Sequence, residues 1–186
     1  MSAMHPITVL LVDDHAVVRA GLRAVLGEAK DIDVVGEARN GREAIAFAER
    51  LHPDVIVMDL SMDEMDGATA TKELVSAGID AKILILTMHT EDEYLVPALE
   101  AGASGYLVKS AADRELVAAA RETLGPKRHL LVDPGWYPAG WKNPGPMRSR
   151  RQAIELVEWL ADYGVGWCED FIHPERFDEY AHVRAV

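Results

Sequence analysis

The segment ITVLLVDD, residues 7–14, decides the fold of the first part of this chain. It is a short run of β-branched residues and leucine that ends in two acids, a pattern typical of a buried parallel strand. Similar segments follow at 55–58 (VIVM), 82–87 (KILILT) and 105–108 (GYLV), with a weaker one at 33–38. Together they predict five strands.

Segments with hydrophobic residues at helical spacing lie between and after these strands. The pair Asp66-Gly67 is predicted to start the third helix, and Ser110 or Asp113 to cap the fifth. Alternating strands and helices predict an α/β fold, a doubly wound parallel sheet with its functional site at the carboxyl ends of the strands. The predicted helices are His15–Glu28, Gly41–Leu51, Asp66–Ala77, Glu91–Ala101 and Asp113–Leu124.

Composition excludes several classes of protein. The chain has 186 residues, a net charge of −12 and one cysteine, Cys168. Nucleic-acid binding demands basic surface, so we expect no DNA partner. A single cysteine forms no intramolecular disulfide, and no run is long and apolar enough to cross a membrane. The N-terminus lacks the features of a signal peptide, so we expect a cytoplasmic protein without a membrane partner.

Polar side chains follow four of the predicted strands. Asp13 and Asp14 end the first strand, Asp59 follows the third, Thr87 ends the fourth and Lys109 follows the fifth. Three carboxylates at one sheet edge repel one another and require a cation, and oxygen ligands favour Mg²⁺. With a lysine and a hydroxyl beside them, they suit a carboxylate nucleophile that receives a phosphoryl group.

These residues belong to four motifs, LLVDDH, VIVMDLSMDEMDG, ILILTMHT and GYLVKS. The set resembles the receiver domain of two-component response regulators over about residues 5–120. The resemblance implies a flavodoxin-like fold and a phosphoacceptor without enzymatic activity beyond self-dephosphorylation. It also implies phosphorylation by a histidine kinase or a small phosphodonor.

The resemblance assigns a role to each site residue. Asp59 is the phosphoacceptor, Thr87 the switch hydroxyl, Lys109 the phosphate-pairing lysine and Tyr106 the switch aromatic. The implied Mg²⁺ ligands are Asp14 directly, Asp13 through water, Asp59, and the backbone carbonyl of Ser61. One departure is Asp63, where the family usually has proline. His15 and His89 flank the site and are interpreted as ordinary loop residues.

The remaining chain predicts two further βα units. Their strands are His129–Val132 and Val165–Cys168, and their helices are Ser149–Tyr163 and Pro174–Val186. HLLVDPGWY and VGWCEDFIHPE resemble strands of the enolase-superfamily (β/α)₈ barrel, over about residues 117–186. The resemblance makes Asp133 and Glu169 counterparts of two metal ligands. They are interpreted as vestigial, since the third ligand and the catalytic bases have no counterpart.

These two resemblances predict a receiver at 1–125 and a barrel-like fragment at 126–186, packed as one body. The favoured architecture is an open sheet in the order 2-1-3-4-5-6-7, and the alternative is a closed barrel. Because the two patterns overlap inside one helix, we interpret the chain as an engineered chimera, with a natural relic as the alternative. Dimerisation through the added units is a further expectation. Two rival functions are a fold without biological activity and a metal-dependent lyase or isomerase of the enolase type.

Overall fold

The centre of the fold is a set of strands that are hydrophobic on both faces. The computed structural model describes residues 5–88, 92–124, 128–130 and 165–168. For residues 92–96, 128–130 and 165–168 it describes the backbone alone. The strands are β1 (Ile7–Val12), β2 (Ile32–Ala38), β3 (Val55–Asp59), β4 (Lys82–Thr87), β5 (Gly105–Val108), β6 (Arg128–Leu130) and β7 (Val165–Cys168). The helices are α1 (Ala16–Gly27), α2 (Gly41–Leu51), α3 (Gly67–Ser76), α4 (Asp92–Ala101) and α5 (Ala112–Thr123).

The described strands form one parallel sheet in the order β2-β1-β3-β4-β5-β6-β7. This is the order predicted for the open sheet, and β2 and β7 lie at opposite ends of it. Among the described strands, therefore, the sheet does not close into a barrel. The two helices predicted to accompany β6 and β7 lie outside the described residues.

Alternating side chains of the strands supply two hydrophobic cores, one on each face of the sheet. On one face, Leu10, Ile56 and Ile85 pack against α2, α3 and α4. On the other, Leu11 and Val57 pack with residues of α1 and α5. This is the arrangement predicted for a doubly wound sheet, the kind of fold in which the functional site forms at the carboxyl ends of the strands.

Each described helix boundary lies within one residue of the predicted one, but the start of α5 is formed differently. Neither Ser110 nor Asp113 caps this helix: Ala111 occupies the cap position and makes no side-chain hydrogen bond. A single 3₁₀ turn at Lys109–Ala111 leads directly into α5. The backbone geometry of this turn replaces the side-chain cap. The carboxylate of Asp113, in the first turn of α5, interacts favourably with the positive end of the helix dipole.

No helix in the described parts of the chain is long and apolar enough to span a bilayer.

The turn that follows Asp59 depends on a glycine. The side chain of Asp66 accepts a hydrogen bond of 2.8 Å from the amide of Thr69, which confirms the predicted start of α3. The amide of Gly67 donates to the carbonyl of Leu60 over 2.9 Å. A Cβ atom at Gly67 would lie 2.1 Å from the backbone oxygen of Asp59. A larger residue therefore forces apart the backbone that carries the central carboxylate.

We predict that Gly67→Ala destabilises the protein by about 1–3 kcal/mol, as overpacking against backbone does. The matched control is Gly21→Ala, because a Cβ atom at the exposed, helical Gly21 meets nothing within 4 Å. That variant should be as stable as the wild type or more stable by about 0.5–1 kcal/mol. Urea denaturation measures both. Equal stability of Gly67→Ala and the wild type would contradict the steric argument.

Candidate functional site

The sheet order brings the predicted site residues together. Strands β1, β3, β4 and β5 are consecutive neighbours, so the residues at their carboxyl ends form one row. Asp59 is the last residue of β3 and Thr87 the last residue of β4, while Asp13-Asp14 and Lys109 directly follow β1 and β5. Asp13, Asp59 and Thr87 are buried.

The three carboxylates form a compact acidic cluster. One ligand atom from each of Asp13, Asp14 and Asp59 lies within 4.8 Å of the others, and one from His15 belongs to the same group. The side chains of Asp13 and Asp59 are 1% and 4% exposed, and that of Asp14 is 24% exposed. Like charges this close in a partly dry site oppose one another's ionisation, and a divalent cation removes that cost.

Oδ1 of Asp14 provides the structural test of whether these residues fit a metal ion. This oxygen is buried and accepts no hydrogen bond from the described residues. His15 Nδ1 lies 2.6 Å away, but that contact lacks hydrogen-bond geometry. A buried carboxylate oxygen normally has a donor or an ion beside it. The all-oxygen set of Asp13, Asp14 and Asp59 therefore fits Mg²⁺.

Lys109 neutralises part of the cluster. Its Nζ lies 2.7 Å from Oδ2 of Asp13 and 2.9 Å from Oδ2 of Asp59, and its side chain is 11% exposed. Burial alone would lower the pKa of Lys109, but the hydrogen bonds to Asp13 and Asp59 outweigh it and the pKa is raised. Burial raises the pKa of Asp59, and the hydrogen bond from Lys109 partly offsets this. Lys109 thus brings one positive charge to the cluster, and a bound divalent ion would bring two more.

Thr87 and Tyr106 form a buried polar pair beside this cluster. Thr87 is 0% exposed and Tyr106 is 2% exposed. A hydrogen bond joins their side chains, while burial raises the pKa of the Tyr106 phenol. Tyr106 belongs to the hydrophobic core on the α2–α4 face. The hydroxyl at the end of β4 is thus linked to an aromatic ring in the core.

The remaining residues named in the sequence analysis have different outcomes. The backbone amide of Ser61 donates a hydrogen bond to the Asp59 carboxylate. The metal-binding role of the Ser61 carbonyl stays a prediction. Asp133, Glu169 and His89 lie outside the described residues.

Sequence reasoning underestimated His15. Besides the 2.6 Å contact with Asp14, Nδ1 of His15 lies 3.5 Å from Oδ1 of Asp13. The backbone amide of His15 donates to that same Asp13 oxygen over 2.7 Å. The sequence places His15 beside the site, because it directly follows two site acids, but interprets it as an ordinary loop residue. The structure adds that one of its ligand atoms belongs to the same group as those of the three carboxylates.

Arg19 was missed altogether. Its Nη1 donates to the backbone carbonyl of Asp13 over 2.6 Å, which ties α1 to the turn carrying the acids. Glu37 lies 3.4 Å from Arg19 Nε and 2.7 Å from Arg23 Nη1, and the hydrogen bond from Arg23 is the main cause of the lowered pKa of Glu37. Arg19 lies one helical turn after His15, the spacing that places both on one helix face.

Asp63, where the family usually has proline, is exposed in the loop between β3 and α3. Its carbonyl accepts a 2.8 Å hydrogen bond from the amide of Met65. The intervening Glu64 has a left-handed backbone, with φ 64. Asn40 also donates to the Glu64 carboxylate over 3.2 Å, which links this loop to the start of α2. The loop is therefore held by hydrogen bonds where proline would restrict it covalently.

Comparison with known proteins assigns the family. The profile of the response regulator receiver domain matches residues 9–121, and the chain belongs to this family. Receiver domains of this family are phosphoacceptors in two-component signalling, and what this chain does must be argued from its own site. The profile described as enolase C-terminal domain-like matches residues 92–186, overlapping the receiver match in α4, β5 and α5.

Individual relatives agree with this assignment. The response regulator UvrY of Escherichia coli (strain K12) is 43% identical over 127 residues, covering 68% of this chain and 58% of UvrY. LiaR of Bacillus subtilis (strain 168) is 47% identical over 115 residues, 62% of this chain and 54% of LiaR. The receiver domain of NarL from Mycobacterium tuberculosis superimposes with a TM-score of 0.63 at 31% identity, covering 64% of this chain and 97% of that one. The chain thus spans a little over half the length of the curated relatives it matches.

We predict that Mg²⁺ stabilises the protein through the acidic cluster. Binding to the folded state alone should add about 2.7 kcal/mol at a hundredfold excess of ion over Kd. Thermal unfolding with and without millimolar MgCl₂ measures the effect. Asp14→Asn should abolish it, and the exposed control Asp33→Asn should retain it. An unfolding midpoint that does not change with Mg²⁺, or equal stabilisation of Asp14→Asn and the wild type, would contradict a Mg²⁺ site at the acidic cluster.

Proposed function

We propose that this chain is a Mg²⁺-dependent phosphoacceptor in which Asp59 receives the phosphoryl group. The observation that carries the proposal is the position of Asp59, which is 4% exposed, at the end of β3, with Lys109 Nζ 2.9 Å from Oδ2. A carboxylate so placed has a cation at hand to balance the charge that develops on a transferred group.

The reaction is a displacement at phosphorus. An oxygen of the ionised Asp59 attacks the phosphorus atom, the bond from phosphorus to the donor breaks, and the donor leaves with that electron pair. The product is an aspartyl phosphate. Lys109 favours the ionised form of Asp59 before attack and pairs with a phosphoryl oxygen after it. Asp13, Asp14, Asp59 and the Ser61 carbonyl would hold Mg²⁺, which neutralises charge on the phosphoryl oxygens.

Thr87 and Tyr106 would report the modification. The Thr87 hydroxyl ends the strand next to β3, where it can donate a hydrogen bond to a phosphoryl oxygen. That hydroxyl also pairs with Tyr106, so a new partner for Thr87 changes the environment of the aromatic ring. We propose that the phosphodonor is a histidine kinase or a small acyl phosphate, and that the protein works in the cytoplasm.

The test is incubation with acetyl phosphate and Mg²⁺, followed by intact-mass spectrometry. We predict a mass gain of one phosphoryl group that Asp59→Asn abolishes. The matched control is Asp63→Asn, since Asp63 is an exposed acid only four positions away. It should react like the wild type. Transfer at Asp63 would contradict the assignment of Asp59 as the acceptor. No transfer to a folded wild-type chain would contradict the proposal and favour a fold without biological activity.

We further propose that the chain is a chimera of a receiver (1–125) and an enolase-like fragment (126–186). The support is the overlap of the two family matches across residues 92–121. Natural fusions usually join complete domains through a linker, whereas here the two patterns share elements. We propose that Asp133 and Glu169 are vestigial. Sugar acids, the substrates implied by the resemblance to dehydratase-like members of the enolase superfamily, should therefore not be turned over. Turnover would revive the lyase or isomerase alternative.

The two parts should behave as one body in limited proteolysis. The register Gly105↔His129 and Tyr106↔Leu130 joins β5 to β6, which supports a shared sheet. We predict that cleavage begins within the Pro- and Gly-rich segment 134–147 and that both flanking fragments persist. Peptide mass mapping identifies the cut sites. Rapid loss of everything after residue 125, leaving a stable receiver, would refute a single α/β body and indicate a receiver with an unfolded appendage.

We also predict that the chain does not bind DNA with sequence selectivity. Its net charge of −12 opposes contact with a phosphate backbone. Gel-shift titration at low salt, where such attraction is strongest, is the appropriate measurement. A tight complex with one sequence but not with a scrambled one would contradict the prediction.

A further inference from the structure

The position of His15 extends the chemistry of the acidic cluster. Its Nδ1 lies 2.6 Å from Oδ1 of Asp14 and 3.5 Å from Oδ1 of Asp13. Two ligand atoms bound side by side to one divalent ion, with bonds of about 2.1 Å, lie about 3 Å apart. The Nδ1–Oδ1 separation of 2.6 Å is somewhat shorter than this, so a small rotation of the exposed imidazole ring would bring the two atoms to the spacing that a shared ion requires.

The partner atom of His15 is the unsatisfied one. Oδ1 of Asp14 is buried and accepts no hydrogen bond among the described residues, although Nδ1 is near it. The His15 side chain is 70% exposed, so the surrounding structure leaves its ring room to turn. In contrast, Oδ2 of Asp13 is already engaged by Lys109 at 2.7 Å. The carboxylate oxygen that accepts no hydrogen bond is thus the one nearest to His15 Nδ1.

An imidazole changes which ions a site prefers. Carboxylate and water ligands suit Mg²⁺, whereas imidazole nitrogen suits Co²⁺, Ni²⁺ and Zn²⁺ and adds little for Mg²⁺. A nitrogen donor beside three carboxylates therefore strengthens binding of the transition ions selectively.

We propose that His15 is an additional metal ligand that lets the Asp13-Asp14-Asp59 cluster bind a divalent transition ion through nitrogen as well as oxygen. This proposal rests on the proposed function for the location of the metal site. It concerns ion selection and not phosphoryl transfer. Mg²⁺ and the transition ion compete for one site, and only the transition ion engages His15.

The experiment is calorimetric titration of the full chain with MgCl₂ and with CoCl₂, in the absence of any phosphodonor. The variants are His15→Ala and the matched control His5→Ala, which removes an exposed histidine that precedes β1, at the opposite end of that strand. Visible absorption of bound Co²⁺ gives a second readout, because nitrogen ligation alters its d–d bands. Excess Mg²⁺ should displace the Co²⁺ signal that depends on His15.

His15→Ala should weaken Co²⁺ binding by at least about tenfold, the lower range for changes around metal ligands. Its Mg²⁺ affinity should stay within about threefold of the wild type, since imidazole adds little for that ion. His5→Ala should leave both affinities and the Co²⁺ spectrum unchanged. Unfolding curves establish that each variant is folded.

Two results would overturn the proposal: equal Co²⁺ binding by His15→Ala and wild type, or an equal loss of Mg²⁺ and Co²⁺ affinity. The second would make His15 a residue that positions Asp14. Failure of the proposed function is detected in a separate experiment, in which phosphorylation of Asp59 is measured with acetyl phosphate and Mg²⁺. The metal titrations contain no phosphodonor and no phosphorylated protein, so their result does not depend on that reaction.

Discussion

Mutual repulsion among Asp13, Asp14 and Asp59 is the constraint on which the site depends. Their ligand atoms lie within 4.8 Å of one another, and two of the three side chains are almost fully buried. Hydrophobic burial of β1 and β3 fixes the acids there, since neither strand can shift without exposing its core residues. Lys109 offsets part of this repulsion from within the chain, and a bound divalent cation would offset more of it. The chemistry of the site follows from this imbalance.

The main features of the fold could be predicted because two different periodicities alternate along the sequence. The runs at 7–12, 55–58 and 82–87 are too short and too β-branched for buried helices, and the intervening segments are amphipathic. The acids at their ends then fall at one edge by topology alone. That reasoning places Asp59 and Lys109 in one site without any knowledge of side-chain conformation.

The features that prediction missed depend on conformation and not on pattern. Arg19 reaches the site, and His15 contacts the carboxylates, through side-chain rotamers and the entry angle of α1, which no local periodicity encodes. The capping residue of α5 was predicted wrongly for a related reason. Sequence rules predict a helix start from a capping side chain, whereas here the 3₁₀ turn at Lys109–Ala111 accommodates the backbone groups at the start of the helix. The same turn begins at Lys109, the residue that contacts Asp59.

The added strands change the position of β5 in the sheet. A strand at the edge of a sheet has one row of unpaired backbone groups, which lets it bend or recruit another strand. Here β5 pairs with β4 through Ile85↔Tyr106 and with β6 through Tyr106↔Leu130. The backbone of Tyr106 is therefore held from both sides, between the receiver sheet and the enolase-like segment. Rotation of the Tyr106 side chain in response to Thr87 would leave both pairings intact, whereas displacement of the Tyr106 backbone alone would disturb both.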